Sequence, residues 1–482
     1  MKTSTTISSK KYFNHGYLLV MVLVFGSILF VILSSFFGYI VTQGAAVTQR
    51  VDLQRSLDIA EAGLNYYKWF LAHYPNDVTD GTGLPGPYVH TYYDPEGGAI
   101  GEFSLEIASS TYCGDIASID VSSTGYTYDD PSVYRTITAR YARPSVAEYS
   151  YIINSNVWAG ADRVIIGPYH SNGGIRMDGQ NNSTVTSGQE TWDCTSSFGC
   201  SGTQTKDGVF TSTANANPGL FSFPSAPINF AGLTIDLAQM QDRAQNAGGI
   251  YIGPSGSYGY RVTFNSDNSI TVRRVTGTTQ YYGYTTEAGW VQERHVISNT
   301  SNPPTTYNIS ASCPIIFVQD KVWLDGVVNK KVTIAAADVA SAAINPQIIL
   351  NGNITYTSAT TSGLLAIAEQ DVLIGLSVPT DMTLNGIFVA QNGRFGRNHY
   401  VQSGGVGLPS SLDQYVYRNS LNINGTIVSN GREGTKWSRG GTWISGFNNR
   451  FNSYDRNLVN SPPPLVPKTS DVYVITDWRD NQ

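Results

Sequence analysis

Carboxylates, histidines, cysteines and clustered tyrosines are the side chains of this 482-residue chain that could do chemistry. Cleaving a polysaccharide needs two acid–base groups that converge on one bond. Asp371 and Asp381 lie ten residues apart, and Asp320 and Asp325 lie five apart. Isolated acids of this kind sit most often at chain corners, where they form turns. His170 is flanked by turn residues, so a structural role is expected of it. No His-Glu-x-x-His, Gly-x-Ser-x-Gly or phosphate-cradling glycine loop occurs. The run Tyr281-Tyr282-Gly283-Tyr284 reads in two ways: rings that bind a surface glycan or protein, or ordinary packing on a strand face.

The four cysteines, Cys113, Cys194, Cys200 and Cys313, contain no Cys-x-x-Cys and are too scattered for a metal ribbon. Cys194 and Cys200 could close a short loop in an exported domain, with two buried thiols as the alternative. No catalytic residue, cofactor or metal is therefore expected. The charge of −6 carries no basic block, which argues against a nucleic-acid partner.

Such a chain must be held by mostly β elements, because 48 Gly and 30 Tyr accompany only 14% charged residues. The N-terminus is different. Residues 17–49 carry no charge, and seventeen of the twenty-five positions in 17–41 are Leu, Ile, Val or Phe. A helix there spans a bilayer, its insertion favoured by several kcal/mol. It is too long for a cleaved secretory signal. Lys2, Lys10 and Lys11 precede it without acids, whereas Asp52 and Asp58 accompany Arg50 and Arg55 after it. That asymmetry puts the N-terminus in the cytoplasm and the bulk outside. Beyond the span, Leu53, Leu57, Ala60, Leu64, Tyr67 and Leu71 recur at helical spacing and predict an amphipathic continuation. Pro75 ends it.

The basic leader ending in Gly16, the aromatic Tyr17, the apolar run and the stretch Asp58-Ile59-Ala60-Glu61-Ala62-Gly63-Leu64 resemble the N-terminus of type IV pilin-like proteins. The nearest likeness is to PilX-type minor pilins. The resemblance implies that a prepilin peptidase cuts between Gly16 and Tyr17. It also implies that Leu18, Met21, Val24, Ile28, Phe30, Leu33 and Ile40 contact the membrane and then other pilin-like subunits. Leu53, Leu57, Leu64, Tyr67 and Leu71 would pack on a small sheet. Met21 stands where major pilins carry a glutamate, a departure that resembles subunits placed at a filament tip.

Segments 102–109, 116–126 and 133–142 read as three strands of that small antiparallel sheet. From residue 147 the pattern changes. Leu324-Asp325-Gly326, Leu350-Asn351-Gly352, Leu384-Asn385-Gly386 and Ile423-Asn424-Gly425 form an imperfect repeat, with Met177-Asp178-Gly179 as a fainter copy. An inward aliphatic followed by a corner of Asn or Asp and Gly predicts a right-handed parallel β-helix, with a β-sandwich as the alternative. Residues 189–312 fit no period and read as an insertion, 236–247 being its only helix-like stretch. Pro462-Pro463-Pro464 reads as a brace, and 472–478 as a last strand covering an open edge of the repeats.

The expected organisation is a leader at 1–16, a long helix at 17–74, a pilin-like α+β sheet at 75–146 and a repetitive β domain at 147–482. The expected function is that of a minor pilin or pseudopilin with a structural or display role and no catalysis. It would reside in the inner membrane and then in a pilus or on the cell surface. The competing reading is a membrane-tethered carbohydrate-binding or polysaccharide-cleaving protein.

Overall fold

The computed structural model describes residues 15–230, 237–341, 345–404 and 406–481, with side chains from residue 17 onward. Lys2, Lys10, Lys11 and Asp236 lie outside the described residues.

Helix α1 runs His15–His73 over 59 residues, roughly 90 Å at the usual rise. It stops two residues before Pro75, as the ring of proline requires. Its first half is exposed along its length from Tyr17 among the described residues. Its second half lies on an antiparallel sheet of β1 Tyr88–Tyr93, β2 Ala99–Tyr112, β3 Asp115–Thr127 and β4 Tyr134–Ala142. Leu64, Tyr67 and Leu71 are buried there against Phe103, Leu105, Val121, Ile137 and Tyr141, with Leu57 partly buried beside them. Ile59 and Phe70, which fall outside the predicted stripe, join the same core. Each large apolar side chain buried in this way contributes about 1.5–3 kcal/mol. Helix and sheet meet so closely at Gly125 that an added methyl carbon would lie 3.0 Å from Cα of Ala60 and overlap the backbone at Ser56.

The final strand, Val474–Asp480, pairs antiparallel with β4, from Val474 opposite Ala142 to Asp480 opposite Ile137. The expectation that this segment covers an edge of the repetitive domain is corrected: it completes the small sheet. Arg135 adds an ion pair to Asp480. The β-rich region between β4 and this strand therefore leaves the small sheet and returns to it.

That region is built from parallel ladders. The longest runs through Ile250–Ile252, Ile315–Val318, Lys331–Ala336, Gly363–Ala368, the second halves of Asp381–Ala390 and Tyr417–Ser429, then Tyr151–Ile153, Tyr169–Ser171, Val185–Ser187 and Phe221–Ser222. A second joins Tyr260–Asn265, Val322–Val328, Ile348–Tyr356, Val372–Ile374 and Phe395–Gly396. A third joins the first halves of Asp381–Ala390 and Tyr417–Ser429 to Thr442–Ser453, Arg163–Ile166 and Gln180–Asn181. Interior residues stack in register, as in the row Ile316, Ile334, Ala366, Phe388, Ile427, Tyr151, Tyr169 and Val185. The outward row of the same strands is apolar too: Phe317, Ala335, Ile367, Val389 and Val428 are covered by helix Leu237–Asn246 and by Val466. Pro462, Pro463 and Pro464 lie buried here, Thr333 Oγ1 donating to the Pro464 carbonyl at 2.6 Å.

Chain order and stacking order differ. The tier containing Tyr151–Ile153 is made first, yet it sits in the middle of the stack, directly on Ile427–Ser429, which is made nearly last. Residues 151–222 build away from this seam in one direction, and residues 250–429 approach it from the other. The expected insertion at 189–312 is accordingly smaller. Val209–Phe210, Phe221–Ser222, Ile250–Ile252 and Tyr260–Asn265 belong to parallel ladders. What stays outside the parallel ladders is chiefly the long hairpin of Ser269–Thr285 with Gly289–Thr300, which packs against the stack through Val275 and Tyr281.

Two disulfides are present, Cys113–Cys313 and Cys194–Cys200. The first ties the β2–β3 turn to Cys313, two residues before Ile315–Val318, across 200 residues of sequence. The double variant Cys113→Ser, Cys313→Ser is expected to lose about 2–4 kcal/mol, seen as a lower urea midpoint than that of the oxidised parent. An unchanged midpoint would mean that the returning strand already fixes the two units against each other.

Candidate functional site

Among the described residues, the bare half of α1 and several polar clefts are open to other molecules. Tyr17, Leu18, Met21, Val24, Ile28, Phe30, Leu33 and Ile40 are all exposed, Tyr17 at 76% and Phe30 at 73%. The described residues contain one helix long and apolar enough to cross a membrane, and this is it. Gly16 falls inside the helix, but its surroundings lie outside the described side chains. An apolar surface of this extent needs lipid or partner helices to cover it. Leu53, expected to pack on the sheet, is half-buried near the point where exposure gives way to burial.

The acids singled out in the sequence are not brought together as an acid–base pair. Asp371 accepts from the backbone N–H of Arg394 and from Gln347. Asp381 accepts from Asn419 and Ser420 of the next strand, which hold its carboxyl below the usual range. Asp320 receives the backbone N–H groups of Ser255 and Lys321. Asp325 receives Arg261, Thr263 and Asn351. Each joins neighbouring corners. His170 is buried with one ring nitrogen 2.8 Å from Thr186 Oγ1 and the other 2.9 Å from Asn172 Oδ1. Burial pushes its pKa down despite the Asn172 contact, so both nitrogens serve the fold. Among the described residues, no group of three or more His, Cys, Asp or Glu side chains is placed to hold a metal ion.

The tyrosine run divides by strand alternation. Tyr281 is buried against Tyr400, Tyr282 is exposed, and Tyr284 packs edge-on against Trp290 and Trp437. Beside it lies a cleft of about 670 Å³ lined by Glu293, His295, Lys321, Asp371 and Arg394. Burial opposes the Glu293 carboxylate, but hydrogen bonds from His295, Asn398 and Tyr400 outweigh it and keep its pKa low. Burial lowers the pKa of Lys321, against the pull of Asp320 and Glu293.

A second cleft of about 430 Å³ shares Arg394 with the first and lies on the seam of the stack. One wall is Trp158 to Arg163; the other comes from 432–450. The far wall is a hairpin of Lys436–Arg439 with Thr442–Ser453, closed by Gly440-Gly441, both at positive φ as a two-residue turn requires. This turn sets Trp437 and Trp443 on the cleft. Asp162 takes a two-pronged contact from Arg450, both bonds 2.8 Å, with Lys436 at 3.7 Å. Burial works against its charge, but Arg450 and Lys436 prevail and hold the pKa low. Arg163 and Glu433 form an ion pair with each side chain only 1% exposed, and Arg163 also donates to Tyr151 Oη at 3.0 Å. Burial disfavours the guanidinium charge, and Glu433 more than restores it.

Arg432 stands over the ring of Phe198 at 4.2 Å and donates to the Ser197 carbonyl at 2.8 Å. Both belong to the loop closed by Cys194–Cys200, so that disulfide holds a support of the cleft. These tryptophans and arginines were not anticipated from sequence. The compact string Lys436-Trp437-Ser438-Arg439-Gly440-Gly441-Thr442-Trp443, a glycine turn flanked by aromatic and basic residues, was the available signal.

No known protein-family model matches the chain, and no curated protein is similar to it in sequence. Among solved structures, the chain is similar to the competence-associated pilin ComZ from Thermus thermophilus. The identity is 13%, the alignment covers 89% of this chain and 97% of that one, and the TM-score is 0.28.

Proposed function

We propose that this protein is a minor pilin-like subunit whose helix enters a filament and whose β domain is displayed at the tip or side. The observation that carries the proposal is the division of α1: one half wholly exposed and apolar, the other packed on a small antiparallel sheet. The exposed half suits two successive hosts, a bilayer and a bundle of like helices. Before assembly the chain spans the inner membrane with its N-terminus in the cytoplasm. A prepilin peptidase removes the leader after Gly16, and other pilin-like subunits then cover the residues from Leu18 to Ile40. Met21, lacking a carboxylate, favours a position with no subunit ahead. We read the stacked parallel ladders as a right-handed β-helix, and the role as assembly or display without catalysis.

Replacing Gly16 with phenylalanine is expected to trap an uncut precursor in the membrane fraction. N-terminal sequencing of the parent should begin at Tyr17. A Gly16→Phe chain that still matures to the shorter form would refute the pilin reading. The second reading, a membrane-tethered glycan binder outside any filament, draws on the tryptophan-lined cleft. Finding the chain only in membranes and never in sheared filaments would favour it.

A further inference from the structure

We propose that the seam cleft binds an acidic saccharide, with one sugar ring stacked on tryptophan and its carboxylate or sulfate held by Arg394 and Arg432. The proposal does not depend on the filament reading.

The polar atoms of the three indole rings are already engaged within the protein. Trp158 Nε1 donates to Asp178 at 2.8 Å, Trp437 Nε1 to the Arg397 carbonyl at 2.8 Å, and Trp443 Nε1 to the Ser445 carbonyl at 3.1 Å. All three indole N–H groups are satisfied within the protein. Arg176 stands over one side of the Trp158 ring at 4.5 Å, and Tyr284, His399 and Tyr417 pack beside Trp437 and Trp443. What the half-buried rings offer the cleft is therefore their remaining apolar surface, which suits the C–H face of a pyranose. Their orientation is fixed beforehand, so little rotamer freedom is lost on binding.

The cleft carries Arg163, Arg394, Arg432, Lys436 and Arg450 against Asp162 and Glu433, in a chain whose total is −6. Arg163 is matched by Glu433, and Asp162 is shared by Arg450 and Lys436. The remainder is Arg394 and Arg432. Arg394 donates to Asn398 and has the exposed Glu287 at 3.8 Å, and among the described residues Arg432 contacts a carbonyl and a ring but no carboxylate within ion-pair distance. Arg432 is also desolvated enough for its pKa to fall. Such a guanidinium gains most from an incoming anion, because a planar fork matches a carboxylate or sulfate.

Sugar and nucleic acid differ in the charge they need. A strand of nucleic acid needs a basic groove that follows several phosphates. Within this cleft of about 430 Å³ the arginines left over are two, Arg394 and Arg432. One charged group beside stacked rings describes an acidic sugar residue.

The test is titration of the full chain in detergent micelles, followed by tryptophan fluorescence. The probes are trigalacturonate, its methyl ester, a chondroitin sulfate tetrasaccharide and a short deoxythymidine oligonucleotide. Trigalacturonate or the sulfated tetrasaccharide is expected to bind; the tetrasaccharide carries both carboxylate and sulfate, so its binding without trigalacturonate points to sulfate, and binding of trigalacturonate points to carboxylate. Affinity should fall about tenfold or more in Arg432→Gln, and it should fall again as salt is raised. Arg394→Gln serves as the second variant if the first loses its near-ultraviolet dichroism. Equal binding of the methyl ester, no binding of either acidic saccharide, binding of the oligonucleotide alone, or indifference to both arginine variants would each overturn the proposal.

Discussion

Replacing Gly425 with alanine is expected to lower the stability of the strand stack by roughly 2–6 kcal/mol, combining backbone strain with overpacking. Gly425 has φ of +144° and lies directly opposite Gly386, at +145°. These are the corners at which one strand passes from one ladder to the next. A methyl carbon at Gly425 would overlap the carbonyl oxygen of Gly386, a backbone atom with no rotamer through which to escape. At Gly386 the nearest atoms are Cβ and the carbonyl oxygen of Leu364, each 3.1 Å away, so Gly386→Ala should cost less. Gly434, with open space and an ordinary φ, is the control, and its alanine variant should stay within about 0.5 kcal/mol of the parent. Urea midpoints followed by tryptophan fluorescence would rank the three. If Gly425→Ala melts with the control, the tiers do not approach as closely as described.

Glu433→Ala should be comparably severe, at about 3–5 kcal/mol, because it strands the buried charge of Arg163 across the seam. Tyr151 Oη remains as a partner, but a neutral hydroxyl does not replace a carboxylate. The informative comparison is the double variant Arg163→Met, Glu433→Leu, in which both charges are gone and the volume is roughly kept. It is expected to recover most of the loss, and the cycle of single and double variants isolates the coupling. Three variants of equal stability would show that the pair is hydrated, contrary to its burial.

Helical and corner geometry were legible in the sequence because each rests on local chemistry. The apolar run and the 3-and-4 spacing from Leu53 to Leu71 define α1 without tertiary help, and Pro75 marks its end. Gly386 and Gly425 announce corners because only glycine tolerates that backbone. Gly352 belongs to the same sequence repeat but not to the same corner. The ladder shifts there, with Gly326 opposite Ile354, and Gly352 has no positive φ. Alternation shows which side of a strand faces inward, but not which strand is its neighbour. The out-of-order tiers and the returning strand Val474–Asp480 were therefore beyond reach, their partners being hundreds of residues away. The cleft was hidden for the same reason, since Trp158 and Trp443 meet only when the seam closes. Ionisable pairs spaced closely in sequence, such as Asp320 and Asp325, proved to serve separate corners.

The attachment of the strand stack to the small sheet has a mechanical consequence. The chain departs at Ala142 and comes back at Val474, two residues that face each other across adjacent antiparallel strands. A pull on the strand stack is thus divided between two cords leaving from one end of one strand pair, and the two strands are not drawn past each other. Tension passes to the β3–β4 ladder lengthwise, where its hydrogen bonds from Tyr126–Tyr134 to Ile119–Tyr141 resist together and cannot be opened one by one. The Cys113–Cys313 bond is a third, covalent tether. A force applied between the strand stack and α1 would be borne by this junction as a shear clamp.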